Sequence, residues 1–475
     1  MVGQTVPAHA AQAELRHVPS LVDRFSNTPD ASKLVFVMVG LPARGKSFIS
    51  MQLTRFLNWT GVEARVFNAG NHRRETEVGV QDASYFDPKS AAALSRREQI
   101  ALEVMDSMLR WLDEGGDRFA VFDATNTTHA RRHMVAERMQ GIPGLGVIFL
   151  ESTCNDAAVL EANIALKLSK SPDYASMPRE EARQDLLRRI SHYEKVYEPL
   201  DEEEMTLKGE EVRISYIKLL NFSSHVVAHN IWGRAAMTVL PYLMALHVGS
   251  RPVWLVRLPH AELTAHSWRK QGKPWPPPPE VQFAEQPLSA QGHAFVDALA
   301  AFVDRWVADH CSPESPKRRS AVQITASCPG IAVFTCTHRR GLELAERLGG
   351  GRVRTSLNPQ DRGTCHGLLV EEIAERAPDV WADPLHKRFA GGESLGDMLQ
   401  RLQPTLIEVE QEMRPVLVAA PLTSLQALYC YYAGLPIASA MSVQLPMHVV
   451  VELQPSGAHF TERRLSLEEL RTCAP

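Results

Sequence analysis

Leu34-Val-Phe-Val-Met-Val39-Gly40-Leu-Pro-Ala-Arg-Gly45-Lys46-Ser47 decides the architecture of the first half of the chain. Six apolar residues in a row, closed by a glycine, are the pattern of a strand buried on both faces of a parallel sheet. The next eight residues fit G-x-x-x-x-G-K-[ST], and apolar spacing then turns helical through Phe48, Met51, Leu53 and Leu57. Strand, glycine-rich turn and helix together make a phosphate cradle. The glycines let backbone N–H groups curl round an anion without a Cβ clash, and the helix N-terminus adds partial positive charge. In such a loop Lys46 reaches the β- and γ-phosphates of a nucleotide and the Ser47 hydroxyl binds Mg²⁺.

Outward from the loop, strands read at 63–67, 119–122 and 147–150, with a helix at about 90–112 between the first two. Residues 155–200 read mainly helical. Strands alternating with helices predict a parallel α/β sheet. Phe119-Ala-Val-Phe-Asp123 ends an apolar strand in a carboxylate, in the manner of a Walker B segment. Asp123 there would hold Mg²⁺ or take the proton of a substrate hydroxyl. Arg73, Arg74, Arg97, Arg131 and Arg132 fall between or after these motifs, and Arg189 and Tyr193 stand one helical turn apart. Arginine suits bidentate phosphate recognition. The residues alone therefore describe a P-loop kinase of a small anionic substrate.

A second β-α pattern begins near residue 250. Strands read at 253–256, 331–334, 416–420 and 448–452, with helices at about 288–307, 339–348 and 393–412. The expected division is a polar extension over 1–32, a P-loop kinase domain over 33–249 and a second α/β domain over 250–475. The apolar stretch at 235–248, interrupted by Pro241, is read as a core segment too short to span a bilayer. Lys273-Pro-Trp-Pro-Pro-Pro-Pro-Glu280 reads as a stiff surface insertion, with a proline-reading partner as the sharper alternative.

Composition narrows the classes. The 475 residues exceed what one hydrophobic core supports, and 44 % of them are apolar. The balance of 51 basic and 55 acidic residues gives −4, so neither a nucleic acid nor a membrane partner is expected. The seven cysteines are scattered without a C-x-x-C pair, and residues 1–32 lack an apolar signal core, so a cytoplasmic location is expected.

The motifs VMVGLPARGKSFIS, FNAGNHRRE, VFDATNTTHARR, SPDY and RRISHYEKVYEPLD follow one another between about residues 33 and 200. In order and spacing they resemble the kinase half of the bifunctional 6-phosphofructo-2-kinase/fructose-2,6-bisphosphatase family. The resemblance continues more weakly to about residue 455. It implies that ATP phosphorylates the 2-hydroxyl of fructose 6-phosphate. It places Gly40, Leu41, Pro42, Ala43, Arg44, Gly45, Lys46, Ser47 and Asn163 at the nucleotide, and Ser47 and Asp123 at Mg²⁺. Lys46, Asp123, Cys154 and Lys167 become the catalytic set, and Arg73, Arg97, Thr125, Arg131, Arg189 and Tyr193 hold the sugar phosphate. A homodimer is also implied. The family reads N-I-x-x-V-K before S-P-D-Y, whereas Leu168 here fills the lysine column and Lys167 stands one position early. One helical step turns a side chain by roughly 100°, and Lys167 is expected to supply the charge.

In the second half the resemblance implies a histidine-phosphatase-like α/β domain without its catalyst. Arg257 matches the arginine of the family's R-H-G strand end, but Leu258 stands at the nucleophilic histidine, and His260 is two positions on. His366 fills the acidic column and Pro421 that of the second histidine. Leucine cannot form a phosphoenzyme bond. Arg257, Arg340 and Arg388 remain as a candidate anion pocket. The leading expectation is thus a kinase with an inactive second domain. The alternatives are a metabolite-binding regulator without turnover and a P-loop kinase for another small acceptor.

Overall fold

The computed structural model describes residues 33–77, 82–201, 206–207, 210–211, 215–221, 225–231, 233–247, 251–273, 277–278, 282–311, 330–368 and 370–472. The expected 1–32 extension and most of the proline-rich tract lie outside the described residues. The chain separates into two compact units, one of residues 1–54 and 63–244 and one of residues 55–62 and 245–475.

The first unit is built on β1 (Lys33–Val39), β2 (Glu63–Asn68), β3 (Arg118–Asp123) and β4 (Leu145–Thr153). A two-residue pair, β5 (Thr206–Leu207) and β6 (Glu210–Glu211), precedes β7 (Ser215–Leu220) and β8 (His225–His229). The six-stranded sheet runs β2-β3-β1-β4-β7-β8. All its pairings are parallel except β7 with β8. The loop-bearing strand β1 is central, and every residue from Leu34 to Val39 is buried, as a continuous apolar run requires. One face packs Val35, Val37, Val39, Ala120 and Phe122 against Ala101, Val104, Met105 and Met108 of the helix Ala91–Asp113. A separate cluster of Ile164, Tyr174, Ala182, Leu186 and Ile190, with Leu168 against it, joins the helices Ala157–Lys170 and Arg179–Glu194.

Residues 155–200 thus form two helices, broken at Ser171-Pro172, where proline disfavours a helical residue before it. The 235–248 stretch is the helix Arg234–Ala245, which contains Pro241 and buries Val239, Tyr242 and Leu243. The helices Ala69–Thr76 and His129–Met139, and the strands β7 and β8, went unforeseen. Both helices are short and largely polar, held by side-chain caps from Asn68 and Thr128.

The second unit carries β9 (Val253–Arg257), β10 (Ala332–Thr335), β11 (Arg352–Val353), β12 (Val416–Ala420), β13 (Val450–Ser456) and β14 (His459–Leu465). Its order is β11-β10-β12-β9-β13-β14, parallel as far as β9 and antiparallel beyond. Trp254 of β9 meets Phe302 and Trp306 edge-on at 5.9 and 5.3 Å, seating the helix Ala290–Cys311 on the sheet.

Candidate active site

The first unit gathers its polar groups at the carboxyl ends of β1, β2, β3 and β4, the end at which open α/β sheets bind ligands. Gly40 has φ +135°, and a Cβ there would lie 2.5 Å from the Ser152 carbonyl oxygen. Only glycine fits. Its N–H donates to Thr125 O at 2.9 Å, tying the loop to the segment after β3. Ala43 and Gly45 also take positive φ, 59° and 83°. The loop is braced from outside as well: Ser152 Oγ donates to Arg44 O at 2.5 Å and Asn163 Nδ2 to Ala43 O at 3.2 Å. Lys46 Nζ donates to Leu41 O at 2.6 Å.

Beside the loop lies a pocket of about 180 Å³. Its walls include Lys46 and Ser47 from the loop, Asn68 at the end of β2, Asp123 at the end of β3, Thr125 just beyond it, and Lys167. Arg73, Arg97, Arg131, Arg189 and Tyr193 line it too. Asp123 is buried and accepts a 2.5 Å hydrogen bond from Asn68 Nδ2. Seven cations (Lys46, Arg73, Arg74, Arg97, Arg131, Lys167, Arg189) face two carboxylates (Asp123, Asp173), a formal 7 − 2 = +5. Burial pushes Lys46 down to about 7, with Asp123 opposing and Lys167 adding to the shift. Burial, reinforced by Arg189, pushes Lys167 down to about 8. Burial also lowers Arg131 to about 10. Such a cluster is stabilised by an anion, and the buried Nε–H groups of Arg73 and Arg189 have no acceptor.

The expected site residues therefore fall into two groups. The six sugar-phosphate residues, with Lys46, Ser47, Asp123 and Lys167, line one pocket. Asn163 instead supports the loop through Ala43. Cys154 is 2 % exposed, is not among the lining residues, and has its thiol pushed up by burial. Arg132 is fully buried and donates to the carbonyls of Asn126 and Glu198, which makes it a structural tie. Lining groups that were missed include Asn68, Tyr85, Phe86 and Asp173. Asp173 was visible only as a letter of the SPDY motif.

A model of 6-phosphofructo-2-kinase matches residues 23–250, and one of the histidine phosphatase superfamily (branch 1) matches residues 318–468. The 6-phosphofructo-2-kinase/fructose-2,6-bisphosphatase 1 of Homo sapiens is 32 % identical over 98 % of this chain and 91 % of its own. That of Caenorhabditis elegans is 32 % identical over 90 % and 87 %. The chain belongs to the 6-phosphofructo-2-kinase/fructose-2,6-bisphosphatase family. A relative from Arabidopsis thaliana is 31 % identical over 94 % of this chain, which spans 56 % of that protein.

In the second unit the residues singled out in the sequence are placed as follows. Leu258, just beyond β9, is 2 % exposed and its N–H donates to Ala420 O. Pro421 begins the helix Leu422–Ala433, and His366 is exposed after a short turn. Arg257 Nη1 donates to Leu445 O at 3.4 Å and Arg340 Nη1 to Pro259 O at 2.8 Å. Burial lowers the pKa of both guanidiniums. Arg388 does not join them: it is 68 % exposed and paired with Asp397, which caps the helix Leu395–Gln411. His260 is engaged with Ser289 Oγ at 3.0 Å.

Proposed function

We propose that the protein transfers the γ-phosphoryl group of ATP to the 2-hydroxyl of fructose 6-phosphate, and that its second unit does not hydrolyse the product. The meeting of Lys46, Ser47 and Asp123 with five arginines in one pocket carries this reading. The loop amides and Lys46 hold the nucleotide phosphates. Arg73, Arg97, Arg131 and Arg189 bind the sugar's phosphate, and Tyr193 and Thr125 border the ring. Asp123, fixed through one oxygen by Asn68, keeps its other oxygen for the reacting hydroxyl and its proton. Lys167, beside Asp123 in the pocket wall, stabilises charge on the transferring group.

Ser47 and Asp123 are both hard oxygen donors on one pocket wall, which fits Mg²⁺. When bound, Mg²⁺ supplies neutralisation of phosphate charge. For the second unit, buried Leu258 cannot attack phosphorus, and neither Pro421 nor exposed His366 replaces the missing acid and histidine. Family resemblance supports a homodimer, and the scattered cysteines favour the cytoplasm. No helix among the described residues is long and apolar enough to cross a membrane.

The test is incubation with Mg-ATP and fructose 6-phosphate, with fructose 2,6-bisphosphate as readout. Lys46→Met is expected to reduce synthesis by at least roughly 10²-fold. Absence of product from the unaltered protein defeats the reading.

A further inference from the structure

Asp173 is a carboxylate in the wall of a pocket built to take anions, where charge alone argues against it. It lies in a one-turn helix, Pro172–Tyr174, just after the Ser171-Pro172 break, and is 6 % exposed. Its Oδ2 accepts from Arg73 Nη2 at 2.6 Å and lies 3.4 Å from Arg189 Nη1 and 3.6 Å from Arg74 Nη1. Three guanidiniums from two distant stretches of chain thus converge on one oxygen. Each approaches it with one terminal nitrogen. The buried Nε–H groups of Arg73 and Arg189 have no acceptor. Arg189 also lies over the Phe86 ring at 3.6 Å, with Arg73 at 5.4 Å from the same ring.

Bidentate recognition of phosphate needs a guanidinium plane held at a set angle. Arginines left without a shared anion repel one another and turn away. We propose that Asp173 is a positioning residue for the phosphosugar: it fans Arg73, Arg74 and Arg189 so that their remaining N–H edges meet one phosphomonoester. The inference rests on the proposed function of this pocket. Asp173 touches no reacting atom and acts through the arginines.

Two physical roles predict opposite signs. A carboxylate that merely competes with ligand would be improved upon by Asp173→Asn, because a repelling charge is lost. A carboxylate that orients the arginines makes the same variant worse. The expected result for D173N is a KM for fructose 6-phosphate raised at least tenfold, with kcat and the KM for ATP within about threefold of the original. A role in folding alone would lower the melting temperature without that selective split. Combining D173N with Arg73→Lys should cost less than the two effects added, because both act through one contact. Should D173N fail to fold, Asp173→Glu moves the carboxylate by one methylene, and the same selective rise in KM is required.

Calorimetry with inorganic phosphate keeps this inference apart from the kinase reading. If the unaltered protein makes no product, the kinase reading falls, yet weaker phosphate binding by D173N still supports the positioning role. Tighter or unchanged phosphate binding, or an unchanged KM for fructose 6-phosphate, overturns it.

Discussion

Lys167 and Leu168 show how one residue's step along a helix settles its role. Leu168 packs against the cluster of Ile164, Leu186 and Ile190, whereas Lys167 reaches the pocket. Lys167→Ala is therefore expected to lower kcat by about 10²-fold, or ~2.7 kcal/mol of barrier. Leu168→Ala should cost about 1–2 kcal/mol of stability and leave kcat within threefold. Steady-state rates and denaturant midpoints on both variants separate the two. The lysines also predict a pH dependence. The folded, ligand-free protein releases protons from Lys46 near 7 and Lys167 near 8, while the unfolded chain keeps them until about 10.5. Between those values the unfolded state binds more protons, so stability rises with pH. Relative to Lys46→Met, the unaltered protein should gain stability from pH 7 to pH 9, read as a shift in urea midpoint. Lys46, Asp123 and the arginines were legible because motif spacing exposes them. Asp173 was not, because its value arises only where Arg73, Arg74 and Arg189 meet.

At the scale of the element, the strands with unbroken apolar runs were readable because burial on both faces leaves no other composition. The helices Ala69–Thr76 and His129–Met139 were not, since only a cap and a few buried side chains distinguish them from loop. Yet the first of them sets Asn68, which caps that helix through Oδ1 and holds Asp123 through Nδ2. The edge strand β8 escaped notice for a related reason: half-exposed residues such as Val227 carry no continuous apolar signal. The loop itself depends on close backbone approach. Gly40→Ala forces a Cβ to within 2.5 Å of Ser152 O at a φ of +135°. The expected cost is roughly 3 kcal/mol of stability. Chemical denaturation should show that loss, and nucleotide binding should vanish in calorimetry even at temperatures where the variant is folded.

Over the whole molecule, the formal −4 conceals a pocket whose formal charge is +5, so net charge was silent about the anion chemistry that local arginines impose. The two units also differ in what their folds retain. Both keep a largely parallel sheet, and each matches a known family. The first keeps its charged groups around one pocket. The second has half-buried arginines at 257 and 340, and in the proposed reading Leu258, Pro421 and His366 stand where hydrolysis needs a nucleophile and its partners. On that reading, fold and binding groups can persist without chemistry, because buried Leu258 packs as an apolar side chain. Fructose 2,6-bisphosphate incubated with the protein should thus be hydrolysed no faster than in buffer, and acid quench should trap no phosphoenzyme. Leu258→His alone should not restore turnover, because the residues at 366 and 421 still offer no acid and no second histidine. Hydrolysis by the unaltered protein would place the catalytic groups elsewhere in the second unit. Its absence beside active synthesis would mean a chain that makes its product and has no means of removing it.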